Sequence, residues 1–82
     1  MHNLIDRVVP RGVYWLLENN RLTLIDGVTS AQVSIPFKPM IFENDVTIEI
    51  SIKHGLRLLY TNVRENGNDK RAKQIAKDMY AN

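Results

Sequence analysis

Residues 13–26, VYWLLENNRLTLID, predict a β-hairpin that turns at Asn19 and Asn20. Asparagine tolerates the positive φ angles that a two-residue type I′ turn requires. A turn at this point places opposite charges beside it and brings apolar residues of both strands onto one face, which supports the register. The predicted pairs are Glu18 with Arg21, Leu17 with Leu22, and Trp15 with Leu24.

A helix from Pro10 through Asn19 is the alternative for part of this stretch, because proline is well tolerated at a first helical position. Gly12 and the crowded run 13–15 count against that helix. We therefore favour the hairpin. Its second face, on the side away from Trp15, carries Tyr14, Leu16, Thr23 and Ile25.

Three more strands are predicted downstream of the hairpin. Residues 31–35 alternate apolar and polar side chains, which predicts an edge strand that stops at Pro36. Residues 45–53, DVTIEISIK, alternate strictly and predict a fourth strand with one apolar face. A fifth strand, up to residue 63, keeps its apolar side chains on that face if a three-residue loop precedes it. Such a loop needs Gly55 at positive φ.

Helical spacing marks the two ends of the chain. Apolar residues within 3–9 predict one or two helical turns that end at Pro10 and Gly12. A longer amphipathic helix follows Asn68, a suitable N-cap, and its apolar face consists of Ala72, Ile75, Ala76, Met79 and Tyr80. The predicted fold is one small α+β domain over residues 1–82. It comprises a twisted, mostly antiparallel five-strand sheet or partial barrel, a short N-terminal helix and a C-terminal amphipathic helix.

Composition places the chain among ordinary globular proteins. It has 82 residues, 44% hydrophobic and 24% charged, which suits a single domain with a modest core. The absence of cysteine excludes disulfides and thiol chemistry. The N-terminal stretch lacks the features of a signal peptide, and no apolar run is long enough to cross a membrane. We therefore expect a soluble, cytoplasmic protein that does not enter a membrane.

Side chains that commonly carry catalysis are scattered along the chain. His2 and His54 have no carboxylate or second histidine at ligand spacing, so the sequence predicts no metal site and no nucleophile–base pair. The four glycines stand singly, which excludes a glycine-rich phosphate loop. We expect a non-catalytic binding or regulatory module with no cofactor.

The positive charge of the chain is concentrated at its C-terminal end. The net charge is +2, and residues 64–82 hold five cationic side chains against three acidic ones, so this segment supplies the whole excess. Three lysines form a stripe at helical spacing, and cations at a helix start favour an anionic ligand. We predict contact with nucleic acid, or with an acidic protein surface, through Arg64, Lys70, Arg71, Lys73 and Lys77. The alternative is a solvated lysine face that binds nothing.

A second candidate surface combines the outer face of the predicted sheet with the apolar loop 37–44. It would bind a protein partner or a second copy of the chain in a homo-oligomer. Its predicted residues are Tyr14, Leu16, Ile25, Phe37, Phe42, Arg57 and Leu59. Two alternatives stay open: the outer face is a second small core of a half-barrel, and the loop folds back to plug an open end of the sheet.

Overall fold

The structure, a computed structural model, describes residues 9–38 and 45–80. In these ranges the chain forms a three-stranded antiparallel sheet followed by two helices. The strands are β1 (Val13–Glu18), β2 (Arg21–Asp26) and β3 (Gln32–Pro36), and the helices are α1 (Asp45–Glu65) and α2 (Asp69–Met79). The α+β class is therefore confirmed, with an open sheet in place of the predicted five strands or partial barrel. The predicted N-terminal helix at residues 3–9 and the loop residue Phe42 lie outside the described residues, apart from Val9.

The β1–β2 hairpin has the predicted turn and register. Asn19 and Asn20 adopt φ angles of 54° and 59°, as a type I′ turn requires. Glu18 pairs with Arg21 beside the turn, and the remaining predicted partners also lie opposite each other. The alternative helix over this stretch is wrong.

The third strand is also confirmed, and it lies at an edge of the sheet next to β2. The β2–β3 pairing places Thr23 opposite Ser34 and runs to Pro36, where the strand ends. The Arg21 Nε donates a hydrogen bond of 2.6 Å to the Ser34 hydroxyl across the two strands. Proline at the end of an edge strand costs the sheet no interior hydrogen bond.

The predicted fourth and fifth strands are wrong, because residues 45–65 form the single helix α1. The buried or half-buried side chains of α1 recur at intervals of three or four residues, as a helix requires. The aliphatic ones among them are Ile48, Ile52, Leu56, Leu59 and Val63. Ile50, which the strand interpretation places beside Ile48 and Ile52, is 63% exposed on the opposite side of the helix.

Gly55 lies in the middle of α1 and has no positive φ, so the predicted bulged turn is wrong as well. The residue faces the sheet, where an added Cβ would overlap Leu24 Cδ1 and come within 4.0 Å of Ile35 Cδ1. Leu24 is fully buried, and protein interiors are packed closely enough that such a side chain has little room to shift. Glycine is therefore needed here for the close approach of the helix to β2.

The C-terminal helix and its N-cap are confirmed. The Asn68 side chain accepts a hydrogen bond of 3.1 Å from the Arg71 amide, which stabilises the first turn of α2. Ala72 and Ile75 are buried, as predicted for the apolar face. Gly67, at φ 89°, provides the left-handed backbone conformation between the two helices.

The described elements form two layers around one core. The inner sheet face contributes Leu22, Leu24 and Ile35, and α1 packs on it across β2 and β3. The second helix packs on α1 rather than on the middle of the sheet. The other face of the sheet, which we call the outer sheet face, carries Tyr14, Leu16, Thr23 and Ile25, and of these Tyr14 and Leu16 are exposed.

We expect Gly55→Ala to destabilise the domain by about 1–3 kcal/mol, because the new methyl group overpacks the core against Leu24. The loss should occur although alanine is the better helix former by about 1 kcal/mol. Urea unfolding followed by the fluorescence of Trp15, the single tryptophan, measures the free energy of unfolding.

A double-mutant cycle with Leu24→Val tests the stated cause, since valine lacks the overlapping δ-methyl group. Gly55→Ala should cost less in the Leu24→Val background, with a coupling energy of about 0.5 kcal/mol or more. Equal costs in both backgrounds would show that α1 does not approach β2 at this point.

Candidate functional site

A buried ion pair joins α2 to the end of β2. Asp26 is fully buried, and the Arg71 side chain is 9% exposed. Arg71 Nε donates to both carboxylate oxygens at 3.1 Å, and its Nη2 donates to Asp26 Oδ1 at 2.7 Å. This forked geometry matches the planar guanidinium to the planar carboxylate and is stronger than a single contact.

Both members of the pair make further hydrogen bonds. Asp26 accepts from the Thr29 hydroxyl at 2.8 Å and from the Val28 amide at 3.3 Å. Arg71 Nη2 also donates to the Arg11 carbonyl at 2.8 Å, which brings the segment before β1 into the same cluster. Each charged group therefore has several partners that replace water.

The pKa of Asp26 lies below its ordinary value of 3.8. Burial alone raises this pKa, because it disfavours the charged carboxylate. The hydrogen bonds from Arg71, Thr29 and Val28, together with the positive charge of Arg71, stabilise the carboxylate and outweigh the effect of burial. Asp26 is consequently ionised at neutral pH.

This pair determines what Arg71 does. The sequence predicts Arg71 as one of the anion contacts, but the structure places its guanidinium inward against Asp26, 45 residues away in the chain. The side chain holds α2 on the sheet and takes no part in the lysine stripe. A charged residue at the polar boundary of an amphipathic helix turns inward when a buried carboxylate needs a partner.

The other predicted contacts on α2 lie together on its solvent side. Lys70, Lys73 and Lys77 are exposed and lie opposite the buried Ala72 and Ile75. The ion pairs within the described ranges are Lys53–Glu49 and Arg71–Asp26, so neither involves these lysines.

Arg11 is a further basic residue whose backbone contacts α2. Its amide donates to Asp78 Oδ2 at 3.4 Å, and its carbonyl accepts from Arg71, so its backbone is attached to the side of α2. Arg11 is exposed. No local pattern indicates this contact, because 60 residues separate the two arginines. We call Lys70, Lys73 and Lys77 the basic face.

A groove lies between α1 and α2, next to the basic face. Its cavity of about 240 Å³ is lined by Arg57, Tyr60, Ala76, Met79 and Tyr80. The Arg64 guanidinium lies over the Tyr60 ring, with Cζ 5.3 Å from the ring centroid, a cation–π contact between neighbouring turns of α1. The predicted nucleic-acid contact Arg64 thus lies on α1 against Tyr60, a residue of the groove lining, and not in the α2 stripe.

The predicted protein-interface residues do not form one surface. Tyr14 and Leu16, 64% and 46% exposed, share the outer sheet face with the half-buried Ile25. Leu59 and Phe37 are core residues, 0% and 8% exposed. Arg57 is exposed on α1, which lies in the other layer of the domain, because the strand that would have placed Arg57 and Leu59 beside Tyr14 does not exist.

The described residues were also compared with the requirements of a metal site and of a membrane-spanning helix. Within 9–38 and 45–80, no three histidine, aspartate or glutamate side chains are close enough together to hold a metal ion. His54 is exposed on α1. Neither α1 nor α2 combines the length and apolar character of a membrane-spanning helix. Comparison with models of protein families, with curated proteins and with solved structures finds no match to this chain.

We expect Asp26→Asn and Arg71→Met each to destabilise the domain by about 3–5 kcal/mol, because either change leaves an unpaired charge in a buried position. The double variant should be more stable than the sum of the two losses predicts, since it removes both charges. Urea unfolding of the four proteins measures these differences. Strictly additive losses would show that the two side chains do not interact.

The lowered pKa of Asp26 predicts how stability depends on pH. Its contribution is complete above the unfolded pKa of about 3.9 and is lost as the pH falls through the lower native pKa. The free energy of unfolding of the wild type should therefore decrease towards that of Asp26→Asn as the pH falls below about 4. Unfolding curves at successive pH values measure the gap, and a gap that stays constant would contradict the lowered pKa.

Proposed function

We propose that this domain is a non-catalytic module that binds nucleic acid through the basic face. The observation that carries the proposal is the position of Lys70, Lys73 and Lys77 together on the solvent side of α2. Side chains in contact with solvent on one rigid helix suit an extended polyanion, whose phosphates recur along its length.

The local electrostatics favour an anion at this face. Asp78, the carboxylate next to Lys77, accepts hydrogen bonds from Gln74 Nε2 at 2.9 Å and from the Arg11 amide. Its two oxygens are therefore hydrogen-bonded within the fold. Lys70 lies in the first turn of α2, where the helix dipole adds a positive partial charge.

The Asp26–Arg71 pair gives the basic face a fixed orientation. It attaches the first turns of α2 to the end of β2, while Ala72 and Ile75 pack into the core. The lysines therefore point outward from a helix whose position is set by buried contacts. A rigid support reduces the conformational entropy that is lost when a ligand binds.

We expect the double change of Lys70 and Lys77 to glutamine to weaken binding to mixed-sequence single-stranded oligonucleotides. The slope of log K against log salt should become shallower by about 1.4, since about 0.7 is lost for each phosphate contact to a single strand. Fluorescence anisotropy at several salt concentrations measures both quantities. The fold should be unaffected, because both side chains are exposed.

The matched control changes Arg21 and Lys38 to glutamine, which removes the same charge elsewhere. Arg21 lies beside the β1–β2 turn, and Lys38 follows Phe37, whose amide bonds to the Asn20 carbonyl at that turn. This control should bind like the wild type. Failure of the wild type to bind any oligonucleotide at low salt, or equal losses in both double variants, would overturn the proposed function.

The outer sheet face supports a second candidate function, association with a protein or with another copy of the chain. Tyr14 and Leu16 project from β1 and are 64% and 46% exposed. Ile25 lies beside them on β2. An aromatic ring and aliphatic side chains on one open face are typical of interaction surfaces. Leu59, which the sequence predicts to lie on this face, is a core residue and does not contribute to it.

We expect Leu16→Glu to dissociate any such complex and to leave the domain folded, because it places a charge on the face without disturbing the core. Leu58→Glu is the matched control, since Leu58 is 41% exposed but lies on α1. Analytical ultracentrifugation of the three proteins at micromolar concentration measures association. A wild type that is monomeric, or two variants with the same effect, would count against self-association through this face.

A further inference from the structure

The interhelical groove combines aromatic walls with cations on both sides. On α1, Arg57 and Tyr60 line the groove. Lys53 and Arg64 lie outside the lining but on the same side of the helix, at intervals of three or four residues from them. The α2 wall of the groove carries Ala76 and Tyr80, with Lys73 and Lys77 on the adjoining turns. The groove thus has Arg57 in its lining and further cationic side chains on both helices beside it, of which Lys53 is paired with Glu49 at 4.0 Å.

The two tyrosines are presented differently. Tyr60 is half-buried, and the Arg64 guanidinium over its ring restrains its orientation. Tyr80 is 72% exposed, although its backbone is held at the end of α2 by a hydrogen bond of 3.2 Å from its amide to the Ala76 carbonyl. An exposed ring on a fixed backbone is a surface on which a planar ligand stacks with little loss of conformational entropy.

The volume of the groove and its lining residues restrict the kind of ligand that it can bind. A cavity of about 240 Å³ is below the usual range for drug-sized ligands and suits a single planar ring system. Arg57 at the groove can stack on such a ring or donate hydrogen bonds to its edge. Because cations lie on both helices beside the groove, the best ligand is a planar ring that carries negatively charged groups on both sides. A base within a single-stranded nucleic acid meets all three conditions, whereas a base within a duplex has both faces covered by its neighbours.

We propose that the interhelical groove binds one unpaired base of a single-stranded nucleic acid, stacked on Tyr80, while Lys73 and Lys77 bind the adjacent phosphates. This inference rests on the proposed function, since it assigns the strand to the basic face. Lys77 lies about 4.5 Å along the helix axis from Tyr80, and Lys73 about 10.5 Å, so one strand can contact all three residues. The domain therefore prefers single strands to duplexes.

The experiment compares an intact single strand with an abasic strand of the same length, which keeps the phosphates and lacks the bases. Fluorescence anisotropy should show that the wild type binds the intact strand at least about fivefold more tightly, because stacking of one base on an aromatic ring contributes about 1–3 kcal/mol. Tyr80→Ala should remove this preference, and Tyr80→Phe should keep it. Tyr14→Ala is the matched control, since Tyr14 is 64% exposed but lies on the outer sheet face.

The outcomes separate the two proposals. Equal affinity of the wild type for intact and abasic strands, or loss of the preference in Tyr14→Ala instead of Tyr80→Ala, overturns the groove assignment and leaves the proposed function standing. The double change of Lys70 and Lys77 to glutamine should weaken binding to both strands by the same factor. A wild type that binds neither strand overturns both proposals.

Discussion

A carboxylate placed where water cannot reach it sets the arrangement of this domain. Asp26 ends the central strand and is fully buried, so its charge must be balanced from within the protein. Arg71 supplies the balancing charge and at the same time bonds to the Arg11 carbonyl. One guanidinium thereby joins the end of the sheet, the segment before β1 and α2. The outward direction of the lysines and the position of Tyr80 against α1 both follow from that attachment.

The elements predicted from sequence are those whose signals are local. Two adjacent asparagines specify the hairpin turn, and Asn68 with the apolar spacing after it specifies α2. The helix α1 escaped prediction because Ile48 and Ile52 satisfy both a period of two and a helical i, i+4 spacing. Gly55 also favoured the incorrect prediction of two strands, since a glycine between apolar runs is typical of a turn. Its true role depends on Leu24, a contact across the fold that no local rule contains.

The candidate sites also differ in whether a local sequence pattern or a contact between distant residues determines them. The lysine stripe could be predicted, because it requires only that α2 be a helix. The inward position of Arg71 could not, since its partner lies 45 residues earlier in the chain. The interhelical groove was missed for a different reason: on a strand, Arg57 and Leu59 lie on the same face, whereas on a helix one is exposed and the other is buried. An error in one element thus moved the arginine from the groove to the outer sheet face.

The separation of contacts along the chain indicates the order in which the domain assembles. The pairs β1–β2, β2–β3 and α1–α2 each join consecutive elements, so they close short loops at small entropic cost. The bonds from Arg71 to Asp26 and Arg11 span 45 and 60 residues. They can form only after sheet and helices have met and water has left the junction between them. Contacts that appear late in folding act mainly on the rate of unfolding. We therefore expect loss of the ion pair to speed unfolding more than it slows folding.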